Sequence, residues 1–167
     1  MHHLLVEILA PLIFVMLWQR YDLSWHFVAA TMMSSLLLMI AFIDWDWLII
    51  PNSLVLLGLL ISLMDQFIFT HDNGMAPLIG ASLGVAILWV PSRVSQALSG
   101  RESIGAGDIR LAAVLGLYLG WQGTLLVIGF ACLAGALYGL IGISRARLQR
   151  TSKIPLGFFM GWLAPAI

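Results

Sequence analysis

The sequence predicts an all-α fold, a polytopic transmembrane helix bundle of about six to seven spans, and three observations predict it. Of 167 residues, 61% are hydrophobic and only 10% are charged, where a soluble domain carries about a quarter charged. The mean hydropathy is +1.00, so there is too little polar surface to cover a globule in water, and the bilayer must be the solvent. The apolar runs carry helix formers and small residues rather than the alternation of barrel strands, which favours helices. No linker or low-complexity stretch divides the chain, so residues 1–167 read as one membrane-embedded domain.

At about 20 apolar residues per span, six spans and a remnant follow in order. The first covers Leu4 to Leu17. It is expected to stay in the membrane, because Met1-His2-His3 lacks the charged start of a cleavable signal peptide. The second runs from Trp25 to Ile43, the third from Asn52 to Phe69 and the fourth from Ala76 to Val90. Pro91 to Gly107 is then the longest polar connection, and its Ser, Gly and charged residues predict a mobile loop. The fifth span starts near Asp108 and reaches Leu119, and the sixth covers Thr124 to Ile143. The stretch from Ile154 to Ile167 is too short to span unless it ends within the bilayer. Gly116 with Gly120, and Gly135 with Gly139, make small-xxx-small faces that predict close helix packing, as do Gly58 and Gly84.

The eight Lys and Arg residues set the orientation. Arg93, Arg101 and Arg110 fall in one connection; Arg145, Arg147, Arg150 and Lys153 fall in another; Arg20 alone lies on the opposite side. Both basic connections are therefore expected to be cytoplasmic. Counting spans backward puts the turn from Asp44 to Asn52 on the same face, so Asp44 and Asp108 meet one side of the membrane.

Zero net charge and the lack of a basic patch argue against nucleic acid as a partner. The single cysteine, Cys132, permits neither an internal disulfide nor a cysteine-based zinc site. Carboxylates near hydrocarbon are costly and are the natural site candidates. Glu7 lies alone in the first span and reads as a snorkelling or helix-pairing residue. Asp65, beside Gln66 near the outer end of the third span, reads as solvated, while Asp22 and Asp72 belong to short outer loops. Glu102 sits in the basic connection, where it either faces a cationic substrate or is simply exposed. That leaves Asp44, Asp46 and Asp108. If the second helix continues past Asp44, then Asp44 and Asp46 point about 200° apart and cannot both face Asp108. Asp44 is nearer the apolar run and is the more open to desolvation. Gly105 and Gly107 frame Asp108 and allow positive φ and close backbone approach. The bland alternative is a pair of solvated carboxylates, with Asp108 capping the fifth helix.

Two stretches carry a family resemblance: Ile43-Asp44-Trp45-Asp46-Trp47-Leu48-Ile49-Ile50-Pro51-Asn52 and Gly105-Ala106-Gly107-Asp108-Ile109-Arg110-Leu111. They resemble the type IV prepilin peptidases, the bacterial branch of the Gly-x-Gly-Asp membrane aspartic proteases. Gly116, Gly120-Trp121-Gln122 and Ile154-Pro155-Leu156-Gly157 are also similar to that family, and Leu5-Val6-Glu7 and Leu23-Ser24-Trp25 more loosely so. The resemblance implies that Asp44 and Asp108 are the catalytic pair and that Asp46 accompanies them. It implies a multi-pass protein of the bacterial inner membrane, with its site on the cytoplasmic face. Its substrates would be prepilin or pseudopilin precursors with short basic leaders, cut after a glycine, in pilus assembly, type II secretion or competence. Many members also carry paired Cys-x-x-Cys motifs in an N-terminal domain that accompanies N-methylation. Residues 1–167 hold no such cysteines, so methyltransferase activity is not expected here. Asn52 stands where many members have Asp, and Arg110 where Lys is common.

Such a pair cleaves an amide without metal or cofactor, one carboxylate activating water and the other protonating the leaving group. Asp44 at the end of the second helix and Asp108 at the start of the fifth meet opposite dipole ends, which predicts Asp44 as acid and Asp108 as base. Glu102 and Asp46 are candidates for holding a basic leader. Three other readings compete. One is a transporter or assembly subunit with functional carboxylates, which predicts charges facing one another at the midplane. Another is Mg²⁺ chemistry on Asp44, Asp46 and Asp108. The last is a related protease cutting other membrane segments.

Overall fold

A computed structural model describes residues 2–66, 75–100, 104–144 and 156–164. Six α-helices make up the described residues, with no strand among them. They are α1 (His2–Tyr21), α2 (Trp25–Trp47), α3 (Asn52–Met64), α4 (Ala76–Ser99), α5 (Ala106–Ser144) and α6 (Leu156–Leu163). Trp25–Trp47, Ala76–Leu98 and Ala106–Tyr138 are each long and apolar enough to cross a bilayer, and Asn52–Met64 is a shorter apolar helix. The fold is an all-α polytopic bundle.

α5 contains two of the expected spans. Gly120 breaks it with φ 69° and ψ −176°, a conformation open mainly to glycine. The helix folds back there. Cβ atoms built on Gly84 would meet both Ala112 and Thr124, and one on Gly80 would meet both Gly116 and Trp121. The 106–119 limb and the 121–144 limb therefore run side by side against α4. Lipid offers no hydrophobic driving force between helices, so close backbone approach and dispersion must hold them together. At Gly80 and Gly116 a Cβ would stand 2.4 Å from the facing backbone. The small residues are there because the backbones touch.

α3 crosses the same limb at Gly58, where a Cβ would come within 3.1 Å of Val114 Cγ1. Ser62 Oγ donates to Gly58 O at 2.8 Å and approaches Val114 O at 3.4 Å, linking the two helices. The core joins Met33, Leu37 and Ile40 of α2 to Leu111 and Leu115 of α5 and Met160 of α6. Large apolar side chains such as Met32, Leu56, Leu60, Leu126, Leu133 and Leu137 face outward instead. That is the surface of a protein whose solvent is hydrocarbon.

Two expectations need correction. The fourth helix does not stop at Val90 but runs through Pro91 to Ser99. Pro91 usually ends a helix, yet beyond it Ser92 Oγ reaches Ile104 O at 3.4 Å. The true stop is Gly100, at φ 66°, whose N–H bonds Gln96 O. The first part of the expected mobile loop, Pro91 to Ser99, is therefore helix. Asp65 is not solvated: it is 8% exposed, packed at the end of α3 against His26. Glu7 is exposed. Asp72, His71, Arg101, Glu102 and the basic stretch 145–153 lie outside the described residues.

Gly80→Ala is expected to destabilise the bundle by about 1–3 kcal/mol, the cost of overpacking. Gly129→Ala meets nothing within 4 Å and is expected to be neutral or slightly stabilising, given the poor helix propensity of glycine. Denaturation in detergent compares the two; equal effects would refute the backbone contact.

Candidate active site

Asp44 lies in the last turn of α2, which continues to Trp47, so the condition for splitting the two aspartates is met. Asp44 is 4% exposed while Asp46 is open to the outside. The helix then stops abruptly. Leu48 adopts the left-handed conformation at φ 53° and returns its N–H to Asp44 O at 3.0 Å. A left-handed leucine costs of order 1 kcal/mol. Its effect is to throw Ile50 back into the core before Pro51 opens α3.

Asp108 lies in the first turn of α5, and the backbone N–H of Gly105 interacts with its carboxyl. That is the reach-back of an N3 side chain to the N-cap amide, as in a capping box. The capping alternative is thus half right, because the same side chain also lies within Coulombic reach of Asp44. Its Oδ1 is buried with no hydrogen-bond partner among the described residues.

Neither glycine of the pair takes a positive φ. They provide close approach instead. A Cβ on Gly107 would lie 3.0 Å from Ile50 Cβ, and one on Gly105 would lie 3.2 Å from Asp108 Oδ2. The turn after α2 and the start of α5 therefore interlock through Ile50. Arg110 and Asn52 join the same two elements, Arg110 Nη1 donating to Asn52 Oδ1. The two positions that depart from the family's usual residues are partners.

α6 brings residues that the sequence reading did not assign to the site. Phe158 N–H donates to Asp44 Oδ2 at 3.0 Å. The backbone of Gly157 faces both carboxyls. A Cβ on Gly157 would meet Asp44 Oδ2 and Ile50 Cδ1, each at 2.9 Å. Phe158 packs at a tilt against Trp45, with 4.7 Å between ring centroids, and Trp45 in turn meets Tyr138 at 5.9 Å. The Ile-Pro-Leu-Gly stretch was the available signal, but it said nothing of which side chain that turn would touch. Of the expected site residues, Asp44, Asp108, Gly105 and Gly107 come together. Asp46 points away, and Glu102 lies outside the described residues.

Two aspartates converging at one end of an apolar bundle, framed by Gly-x-Gly, narrow the families that fit. The model of the type IV leader peptidase family matches residues 31–140. The chain belongs to that family. Both aspartates lie within the match. Among curated members of the type IV leader peptidase family, a prepilin leader peptidase/N-methyltransferase of Aeromonas salmonicida (strain A449) is 34% identical over 168 residues. The alignment covers 96% of this chain and 56% of that protein. Proteins of the same name from Aeromonas hydrophila and Myxococcus xanthus (strain DK1622) are 35% and 34% identical, over 96% and 92% of this chain and 56% and 47% of theirs. The chain thus spans about half the length of the curated relatives it matches. No solved structure matches it significantly.

Gly157→Ala is expected to cost about 1–3 kcal/mol through the contacts with Asp44 and Ile50. Ile50→Val removes the Cδ1 atom in the way and is expected to restore part of that loss. A double-mutant cycle by denaturation measures it; strict additivity would refute the contact.

Proposed function

We propose that the chain is a membrane aspartic endopeptidase, with Asp44 and Asp108 as the catalytic pair. In this reading it removes the short basic leader from type IV prepilin or pseudopilin precursors at the cytoplasmic face of the bacterial inner membrane. The observation that carries the proposal is the meeting of Asp44 and Asp108 around the backbone of Gly157, with family membership behind it. The names of the relatives speak of prepilin leader peptidases. The methyltransferase half of those names is said of proteins about twice as long as this chain and is not carried over to residues 1–167.

Two adjacent carboxyls do not readily both ionise, so the pair shares one proton. One member removes a proton from water as it attacks the scissile carbonyl, and the other delivers a proton to the leaving amine. Helix dipoles at α2 and α5 alone favour Asp44 as the acid. The start of α6 reverses that preference, because its positive end and the Phe158 N–H meet Asp44 and suit a carboxylate. Asp44 is then the base and Asp108 the acid. The substrate's apolar helix stays in lipid while its leader approaches from the cytoplasm. Asp46, on the outer side of the same turn, and Glu102 are the carboxylates available to a basic leader, with the arginines of that region opposing them.

The magnesium alternative loses support because Asp46 faces away from the other two carboxylates. Among the described residues no three His, Cys, Asp or Glu side chains group as metal ligands. Asp44→Asn and Asp108→Asn are each expected to lower cleavage of a prepilin precursor in detergent or lipid by two or more orders of magnitude. Asp46→Asn is expected to retain cleavage, and EDTA to leave it unchanged. Full activity of either single Asn variant would sink the two-aspartate mechanism, and loss of activity in EDTA would favour the metal.

A further inference from the structure

Asp44 and Asp108 lie sixty-four positions apart in the chain, and the bundle joins them by shorter routes. One is apolar: Ile50, in the turn after α2, packs against Gly107, where a Cβ would stand 3.0 Å from Ile50 Cβ. Another runs through α6, whose Phe158 N–H is bonded to Asp44 and whose Gly157 backbone faces both carboxyls. A third is polar, from Arg110 Nη1 to Asn52 Oδ1. Asn52 opens α3 eight positions after Asp44, and Arg110 lies on α5 two positions after Asp108.

Residues two apart on a helix point about 200° from each other. Asp108 is turned inward, with Oδ1 buried, while Arg110 and Asn52 are exposed. Arg110 therefore acts on Asp108 through the backbone of α5 and not by touching it. The packing of Ile50 on Gly107 sets how close the start of α5 comes to the turn after α2. Apolar contact has no direction, so by itself it leaves that first turn free to roll about Ile50. A guanidinium donor on an amide oxygen is directional, and its place on the outer side of α5 removes the roll. Side-chain ends lie about 6 Å from a helix axis, so a roll of about 10° moves a carboxyl by about 1 Å. Misplacement on that scale is enough to cost an active site one to two orders of magnitude in rate, roughly.

We propose that Asn52 and Arg110 are positioning residues: their hydrogen bond fixes the rotation of the first turn of α5 and so sets Asp108 opposite Asp44. The proposal rests on the peptidase reading above and gives neither residue a contact with substrate. What position 52 must supply is an acceptor oxygen, which Asp also has and Ala lacks. What position 110 must supply is a donor long enough to reach it from the outer side of the helix.

The test is cleavage of a prepilin precursor by the purified chain in detergent, with kcat and KM measured separately. Rates are expressed per folded protein, the folded fraction being taken from thermal unfolding. Asn52→Ala and Arg110→Ala are each expected to lower kcat about tenfold and to leave KM within about twofold. The double variant is expected to be no slower than either single one, because both remove the same bond. Asn52→Asp keeps the acceptor and is expected to regain most of the lost rate. Unchanged kcat in both Ala variants would overturn the proposal. So would losses that multiply in the double variant, or a loss in Asn52→Asp as large as in Asn52→Ala. A raised KM at constant kcat would also overturn it, since the two residues would then be holding substrate. Asp44→Asn in the same assay separates the two levels of failure. If it still cleaves, the two-aspartate reading has failed; if it is inactive while the Ala variants keep full kcat, only the positioning role has.

Discussion

A carboxylate buried in an apolar bundle must be met by donors, and the way Asp44 is met organises the site end of this protein. Its backbone carbonyl receives Leu48 N–H and its side chain receives Phe158 N–H. The first bond closes α2 and the second docks α6. Leaving such a group without partners would cost several kcal/mol. The left-handed turn at Leu48 and the bare backbone at Gly157 are the conformational concessions that make the contacts possible. Once both are in place, Ile50 has one place to go, between Gly107 and Gly157, and that packing sets Asp108 opposite. The site is thus a by-product of satisfying one buried acid.

The rest of the bundle is held by different physics. Along α4 and the two limbs of α5 there are few polar groups to satisfy and little to gain from hiding apolar surface from lipid. Contact must come from fit, and the fit is made by removing side chains at Gly80, Gly84 and Gly116. At these three positions backbone lies directly against backbone. Polar groups collect at the two ends of the bundle, an arrangement suited to chemistry or binding at the membrane surfaces rather than passage through the middle.

Much of this was readable in the residues. Span order followed from apolar run length, and the opposite fates of Asp44 and Asp46 followed from 100° per residue once α2 was taken past Asp44. The small-xxx-small spacing at Gly116 foretold contact, though not that Gly80 would be its partner. What stayed hidden depends on distant contacts. Pro91 looked like a terminator because the Ser92 bond to Ile104, twelve residues on, leaves no local mark. Asp65 looked solvated because its neighbours come from α1, α2 and α5 and not from its own segment. The contribution of α6 to Asp44 spans more than a hundred positions, and no periodicity reports it.

The order of elements along the chain has a consequence for biosynthesis. α6 follows the other five helices, so Phe158 emerges from the ribosome after every other residue of the site. Until it arrives, Asp44 and Asp108 are in the membrane without the amide that aligns them. In this arrangement assembly of the site is a late event: a nascent chain not yet extended to α6 carries both aspartates but not their register. The order in which the helices are made is thereby also the order in which the two carboxyls come into register.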